Sequence, residues 1–252
     1  MKNVIYPATQ HRLVWYLSVE DYLATQPDEY LMLWQTKPTV IIGLHQDLQA
    51  EVNMPWCEAH GVEIYRRKSG GGCVYSDAGN LMVSYIRRGD KTDAQSVFQE
   101  YLNRMAGVLV SFGLPAVRTA NNDILVDGRK VSGNACHVVE SRITKDSSGN
   151  TCIERNEKNS AVVVHGTLLL DSNIDNVNAA ITPSAEKLRK HAVASVRQRV
   201  ANLSELGITD TESVKQRITS TLSDGAYTLT DADINAINAV ESTYLAPSFI
   251  YG

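Results

Sequence analysis

The sequence predicts a mixed α/β (α+β) domain whose sheets are largely antiparallel and are flanked by helices. Short apolar runs bounded by turn residues alternate with stretches of helical periodicity, a pattern typical of domains that combine both elements. Neighbouring strand-like runs are joined by short turns, which connect antiparallel strands, whereas parallel strands need long crossovers. The chain has 252 residues, 43% hydrophobic and 21% charged, so it can bury one full core. We therefore expect a single domain over residues 1–252.

Seven segments have the composition of strands. Apolar and β-branched residues dominate them, and turn-forming residues separate them. The predicted strands are 39–42, 61–65, 72–75, 81–86, 123–126, 130–134 and 161–170. The dipeptide Asp127-Gly128 separates the fifth and sixth and signals a two-residue hairpin turn.

Three segments are predicted to be helical. The clearest is 94–112, where apolar side chains recur at intervals of three and four residues and Gly113 provides a stop signal. Two more helices are expected near 211–222 and 230–244. The second of these opens with Thr230-Asp231-Ala232-Asp233, a variant of the capping box.

The most polar interval of the chain is 144–159. Its composition predicts a flexible loop. Because it lies between two candidate site segments, it could also order as a lid that keeps water from a reactive intermediate.

A candidate anion-binding segment runs Arg66-Arg67-Lys68-Ser69-Gly70-Gly71-Gly72-Cys73. Glycine permits backbone conformations with positive φ and, because it lacks Cβ, lets a phosphate approach successive N–H groups. The adjacent arginines would add positive charge. A tight hairpin with solvated arginines is the alternative, and a triple glycine alone does not decide between the two.

A second candidate site surrounds Lys130, which follows the predicted hairpin turn. Strand alternation places Ser132 on the same face of the sheet and sends Arg129 and Val131 to the opposite face. A lysine is a compact point charge suited to a phosphate or a polarised carbonyl oxygen, although exposed lysines after turns are common. Asp123 could orient this lysine, hold Mg²⁺, or do both.

Together these segments resemble lipoate-protein ligase A, a family with three ordered signatures. The first resembles residues 66–81, the second Asn122-Asp123-Ile124 through Gly128 to Ala135, and the third His165-Gly166-Thr167-Leu168-Leu169. Weaker similarity continues at 38–43, Gln46, 51–53 and 195–200. The resemblance spans most of the chain, and three signatures in order are specific where one would be weak. It implies the catalytic-domain fold of biotin and lipoate ligases.

The resemblance implies a two-step acyl transfer that uses ATP and Mg²⁺. Lipoate and ATP would give lipoyl-adenylate and pyrophosphate, and the lipoyl group would then pass to a lysine of a lipoyl domain. The implied partners are the lipoyl domains of 2-oxoacid dehydrogenase complexes and the glycine cleavage H protein. By position, Lys130 resembles the lysine that contacts the mixed anhydride, and Asp123 is the candidate Mg²⁺ ligand.

The remaining candidate residues are carried over as substrate- or nucleotide-binding groups. They are Arg67, Ser69, Gly70, Gly71, Gly72 and Cys73 in the first signature; Asn122, Asp123, Ser132, Gly133, Asn134 and Ala135 in the second; and His165, Gly166 and Thr167 in the third. A histidine beside an apolar run is often structural, so His165 could instead cap its strand.

The sequence departs from the family pattern in two places. Ser76 stands where a histidine is frequent, and Leu44-His45 replace an arginine and an asparagine, which leaves ligand contacts there open. Many lipoate ligases continue with an accessory domain near the position of Tyr251, so the resemblance implies a short form. Such a form could be self-sufficient, completed by a separate small accessory protein, or limited to the transfer step.

Cys136 supports an alternative function. Related acyltransferases that need no ATP carry the acyl group on a cysteine, so Cys136 could transfer octanoyl or lipoyl groups, although a buried and inert thiol is commoner. A non-catalytic lipoate-binding protein is a third hypothesis, against which the presence of Lys130 argues. Biotin ligase chemistry on a related fold is a further one.

Composition argues against other function classes. The formal net charge of −4 gives no reason to expect a nucleic-acid partner, and no stretch is apolar enough for a membrane helix. The four cysteines have neither zinc-ligand spacing nor the density of a disulfide scaffold; they are Cys57, Cys73, Cys136 and Cys152. A cytoplasmic location is the resulting expectation.

Overall fold

A computed structural model describes residues 1–9, 11–145, 151–181 and 199–251. The fold is mixed α/β, as predicted. The strands are β1 (Lys2–Ile5), β2 (Tyr30–Trp34), β3 (Thr39–Ile42), β4 (Glu63–Arg66), β5 (Val74–Ser76), β6 (Asn80–Arg88), β7 (Ala116–Arg118), β8 (Asp123–Val126), β9 (Arg129–Lys145), β10 (Thr151–Leu169) and β11 (Gly225–Thr228). The α-helices are α1 (Leu13–Ala24), α2 (Leu48–Glu51), α3 (Met54–Ala59), α4 (Ala94–Ser111), α5 (Ile174–Ala180), α6 (Thr211–Leu222), α7 (Asp231–Tyr244) and α8 (Pro247–Tyr251). A 3₁₀ turn covers Ser204–Leu206.

The strands form two sheets. The larger has the order β11-β1-β2-β6-β10-β9-β8-β7, and the smaller β4-β3-β5. Among the strands of the described ranges, only the pairs β11/β1, β1/β2 and β3/β4 are parallel. All other strand pairs in the described chain are antiparallel, which confirms the predicted sheet type.

Helices cover both faces of the larger sheet because its central strands are apolar on both sides. Along β10, Val163 packs into the core beneath α1 and α7, whereas Val162 and Val164 pack into the core beneath α4 and α6. A third, smaller core lies on the β4-β3-β5 sheet. The candidate site lies where the two sheets meet.

The β8–β9 hairpin forms as its turn dipeptide predicts. Asp127 and Gly128 have φ values of 48° and 76°, and Val126 pairs with Arg129, which is the geometry of a type I′ turn. The register shifts between Ile124 and Leu125, so β9 carries one extra residue, a β-bulge, beside Lys130. Lys130 and Ser132 line the cavity, whereas Val131 between them points the other way into the core, as strand alternation predicts.

The flexible loop predicted over 144–159 was wrong for the described residues. Strand β9 continues to Lys145, and β10 begins at Thr151 as its antiparallel partner; residues 146–150 lie outside the described residues. The end of this ribbon is ten residues along the strand from Ala135, a path of about 30 Å. The lid over this segment stays a prediction.

Helix α1 was not predicted, because all twelve of its residues are buried and its sequence shows no amphipathic pattern. A helix covered on every side has no polar stripe, so its apolar residues show no helical period. It packs against α7 and against strands β6, β9 and β10. Within the described ranges, no helix combines the length and apolarity that a membrane span requires.

Candidate active site

A cavity of about 540 Å³ is lined by residues from both sheets. It brings together most of the residues that the sequence predicts for the site: Arg67, Gly71, Gly72, Cys73, Asn122, Asp123, Lys130, Ser132, Gly133, Asn134, Ala135, His165, Gly166 and Thr167. The predicted residues Ser69 and Gly70 do not line it. Ser69 is buried, 1% exposed, and its hydroxyl contacts the side chains of Arg67 and His165, which do line the cavity.

Lys130 lies in the cavity wall beside an acidic partner. Its Nζ is 2.6 Å from Asp123 Oδ1. Burial lowers the pKa of Lys130, while the charge of Asp123 opposes that shift. The lysine crosses Gly133 so closely that a Cβ there would lie 2.5 Å from Nζ. Glycine is therefore needed at position 133 for this path of the side chain.

Asp123 also contacts a second cation that the site prediction did not include. Its Oδ2 lies 3.4 Å from Nη2 of Arg199, which lines the same cavity. One carboxylate thus stands between two cations. The weak similarity of residues 195–200 was the only sequence signal for this arginine, and residues 195–198 lie outside the described residues.

Arg67 shapes the glycine loop from inside. Its guanidinium, 6% exposed, donates to Ser69 Oγ at 3.0 Å and to the carbonyl oxygens of Gly70 and Gly72 at 2.7 and 2.8 Å. Burial lowers the pKa of Arg67 to about 10. Gly71, between the two carbonyls, has a φ of 96°, which favours glycine. The arginine therefore both lines the cavity and fixes the loop.

The other two cations of this segment serve the scaffold, so the expectation that both arginines add charge to the anion site was wrong for Arg66. Arg66 donates to five backbone carbonyls: those of Gly43, Leu44, Gln46, Phe249 and Ile250. Lys68 pairs with Asp21 at 2.5 Å and lies over the ring of Tyr244. Neither lines the cavity.

His165 connects the cavity to a buried polar network. Its Nε2 is 2.5 Å from Ser69 Oγ, and its Nδ1 is 3.1 Å from Glu20 Oε2. Glu20, on α1 and 1% exposed, also accepts from the Ser84 hydroxyl. His165 thus lines the cavity while its ring is held on both sides. Sequence reasoning missed Glu20; an acid within an otherwise apolar segment was the available signal.

The short polar residues near Lys130 form hydrogen bonds that join β9 to β10 and to the residue before β8. Asn122 and Asn134 each donate a side-chain amide to the other's backbone carbonyl at 2.9 Å. Gly133 N–H donates to Thr167 Oγ1 at 3.1 Å. A Cβ at Gly166 would overlap Asn134 Oδ1 and the Tyr101 hydroxyl. These contacts hold the lysine-bearing strand in register with the His165 strand.

Cys136 does not support the ATP-independent alternative. Its side chain packs against the core cluster beneath α4 and does not line the cavity, and burial raises the pKa of its thiol. A thiol acyl carrier must reach the substrate as thiolate. The departures at Ser76 and Leu44-His45 likewise lie outside the cavity wall; Ser76 accepts hydrogen bonds from Thr36 and Asn80.

The rest of the cavity wall is mostly apolar and has no motif. Residues from β3, β5, β6, β10 and α5, and the residue that follows α5, contribute it: Ile41, Val74, Tyr75, Met82, Leu169, Ile174, Val177 and Ile181. Glu51 and Asn80 add polar groups. A wall of this kind with a few convergent charges is typical of small-molecule sites.

The family model of the lipoyl protein ligase A/B catalytic domain matches residues 14–223. This chain belongs to that family. Lipoate-protein ligase LplJ of Bacillus subtilis and lipoate–protein ligase 1 of Staphylococcus aureus are similar relatives, each 35% identical over 192 residues. The alignments cover 75% of this chain and 52% of each relative. This family member therefore spans about half the length of these curated relatives.

Solved lipoate ligases share the fold. The bi-partite lipoate protein ligase of Thermoplasma acidophilum superimposes with a TM-score of 0.80 at 22% identity, covering 100% of this chain and 96% of that one. A lipoate-protein ligase A bound with ATP gives 0.79 at 20% identity, covering 100% and 98%. These likenesses show that the lipoyl protein ligase fold extends over the described chain.

Proposed function

We propose that this protein is a lipoate-protein ligase that joins lipoate to AMP and passes the lipoyl group to a lysine of a lipoyl domain. The observation that carries the proposal is the meeting of Lys130, the Arg67-braced glycine loop and an apolar wall in one cavity. The relatives named as lipoate-protein ligases support it. Similar structures contain ATP in one case and lipoic acid in another.

The charges of the cavity suit a nucleoside triphosphate. Among the described residues, three cations line it, Arg67, Lys130 and Arg199, against the carboxylates of Asp123 and Glu51. In the activation step a carboxylate oxygen of lipoate bonds to the α-phosphorus and pyrophosphate leaves. Preorganised N–H groups and cations stabilise the negative charge that develops in such a step.

As part of this proposal Asp123 is the Mg²⁺ ligand, and its carboxylate would exchange a contact with Lys130 or Arg199 for the ion. This ion prefers one or two carboxylates together with phosphate oxygens over a complete protein cage. Asp123 would supply the carboxylate and Asn122 lies next to it in the wall. When bound there, Mg²⁺ would neutralise phosphate charge, while Lys130 and Arg67 orient the reacting groups.

In the transfer step the amine of an acceptor lysine bonds to the acyl carbon and AMP leaves. The ammonium group of Lys130 would stabilise the oxyanion of the tetrahedral intermediate. We propose lipoyl domains of 2-oxoacid dehydrogenase complexes and the glycine cleavage H protein as acceptors, in a cytoplasmic setting. A similar chain was solved as a bi-partite ligase with its E2 lipoyl domain, which supports a separate accessory protein as partner.

The test is incubation with ATP, Mg²⁺, lipoate and a purified lipoyl domain, read by intact mass. We expect ATP-dependent addition of one lipoyl group, and Lys130→Ala should reduce it at least about 100-fold. Octanoate and biotin replace lipoate in parallel reactions, and an octanoyl acyl carrier protein without ATP serves as the control for transferase activity. Modification without ATP, or a wild-type rate for Lys130→Ala, would contradict the proposal.

A further inference from the structure

We propose that Arg199 is a catalytic residue of the activation step, which binds the pyrophosphate leaving group; this inference rests on the ligase function proposed above. Arg199 lines the cavity, with Nη2 3.4 Å from Asp123 Oδ2. The other oxygen of the same carboxylate is 2.6 Å from Lys130 Nζ. The Arg199 guanidinium and the Lys130 ammonium group therefore flank the same carboxylate in the cavity wall.

The backbone fixes Arg199 beside the lysine. Val200 forms a parallel bridge with Lys130, and Ala201 N–H donates to the Lys130 carbonyl at 2.9 Å. The segment that carries the arginine is thus hydrogen-bonded to the strand that carries the lysine.

The charged residues of the described cavity wall favour a ligand with several negative charges. Asp123 is shared between Lys130 and Arg199, so these three groups carry one net positive charge, and Glu51 is the second carboxylate of the described cavity wall. Arg67 adds a guanidinium whose hydrogen-bond partners in the described chain are neutral oxygens. A ligand with several negative charges would satisfy all three cations. A guanidinium suits it in particular because its fork of donors matches two phosphate oxygens.

The two cations of the cluster differ in exposure to solvent. The Arg199 side chain is 32% exposed, whereas that of Lys130 is 23% exposed and lies against Gly133. The more exposed cation is the better placed for a group that departs. Lys130, the less exposed, is the better placed for the acyl-phosphate linkage that remains.

The chemistry separates the two steps. During activation a lipoate oxygen bonds to the α-phosphorus, the bond from that phosphorus to the bridging α,β-oxygen breaks, and its electron pair stays on pyrophosphate. Arg199 neutralises this new charge. During transfer the leaving group is AMP, and no pyrophosphate is present. Arg199 therefore acts on activation and is nearly silent in transfer.

The experiment compares Arg199→Gln and Arg199→Lys with Arg129→Gln. Arg129 is the matched control because it pairs with the exposed Glu205 at 2.9 Å and does not line the cavity. We measure ATP–pyrophosphate exchange, inhibition by added pyrophosphate, and transfer from presynthesised lipoyl-adenylate. In Arg199→Gln, exchange should fall about 100-fold and the inhibition constant should rise about tenfold, while transfer changes less than about threefold.

Arg199→Lys should restore part of the exchange, and Arg129→Gln should match the wild type throughout. Equal losses in exchange and transfer, or unchanged inhibition by pyrophosphate, would overturn the role assigned to Arg199. Calorimetric titration with inorganic pyrophosphate gives a readout that needs no turnover. A wild type that binds pyrophosphate but shows no ATP-dependent lipoylation would contradict the proposed function. Unaltered pyrophosphate affinity in Arg199→Gln would contradict the role assigned to Arg199.

Discussion

Single residues in this protein gain their roles from partners far away in the chain. Glu20 is 1% exposed and holds the His165 ring at 3.1 Å, while also accepting from the Ser84 hydroxyl. A buried carboxylate of this kind is stabilised only by the donors around it, and those donors lose their acceptor when it is removed. Glu20 is therefore a structural centre of the site even though it does not line the cavity.

Replacement of Glu20 tests this role. Glu20→Ala should lower the free energy of unfolding by about 2–4 kcal/mol, because it leaves a cavity and unpaired donors. Urea denaturation at pH 7 measures the change. Glu212→Ala is the matched control: its salt bridge to Lys215 joins a carboxylate that is 68% exposed, and such pairs contribute at most about 1 kcal/mol. Equal losses in the two variants would contradict the structural role.

At the scale of secondary-structure elements, one buried arginine links the loop after β3 to helix α8. Arg66, 4% exposed at the end of β4, joins the loop after β3 to helix α8 by donating to carbonyls of both. Leu44 N–H in turn donates to the Ser69 carbonyl at 2.9 Å. Helix α8 and the glycine loop are thus held by a shared set of hydrogen bonds.

Removal of the arginine should loosen both elements. In Arg66→Ala several buried carbonyls lose their donors, so we expect a loss of about 2–4 kcal/mol in stability and a melting temperature lowered by about 2–4 °C per kcal/mol. Differential scanning calorimetry measures the shift. Arg118→Ala provides the comparison, since Arg118 donates only to the exposed Asn103 side chain in the described chain. A melting temperature for Arg66→Ala as high as that of Arg118→Ala would refute the coupling.

The stability of the whole molecule should depend on pH through a histidine between α1 and the large sheet. Both ring nitrogens of His137 are buried without hydrogen-bond partners among the described residues. Burial lowers the pKa of His137 to about 4; the charges of His165 and Lys68 act in the same direction, and those of Asp21 and Glu20 oppose it. The folded protein therefore resists protonation of this ring.

The sign follows from proton binding. Between pH 6.5 and 4 the unfolded chain binds a proton at His137 that the folded chain does not, so stability falls as the pH falls through this window, by up to about 3 kcal/mol from this residue. His137→Phe keeps a ring of similar shape and removes the titration. Urea denaturation at pH 7 and pH 4.5 should show a smaller loss for His137→Phe than for the wild type. An identical loss would exclude His137 as the titrating group.

Local patterns predicted those parts of the fold whose determinants are local. The Asp127-Gly128 turn and the 94–112 periodicity needed no distant partner, and β8 and α6 have the predicted bounds. The Thr230 capping box also forms, with Asp233 completing it. The prediction failed where burial erases the pattern, as in α1, or where a polar segment pairs with a partner strand, as in the described ends of β9 and β10.

By itself the sequence determined the α/β class, the glycine loop, the hairpin that presents Lys130 and the family resemblance, because each depends on a short stretch of residues. Only the tertiary structure decided which cations serve the site and which serve the scaffold: Arg67 faces the cavity, whereas Arg66 and Lys68 hold helices. It also joined His165 to Glu20 across 145 positions and Asp123 to Arg199 across 76. The physical reason is that such contacts depend on how sheets and helices pack, and no spacing along the chain encodes that packing.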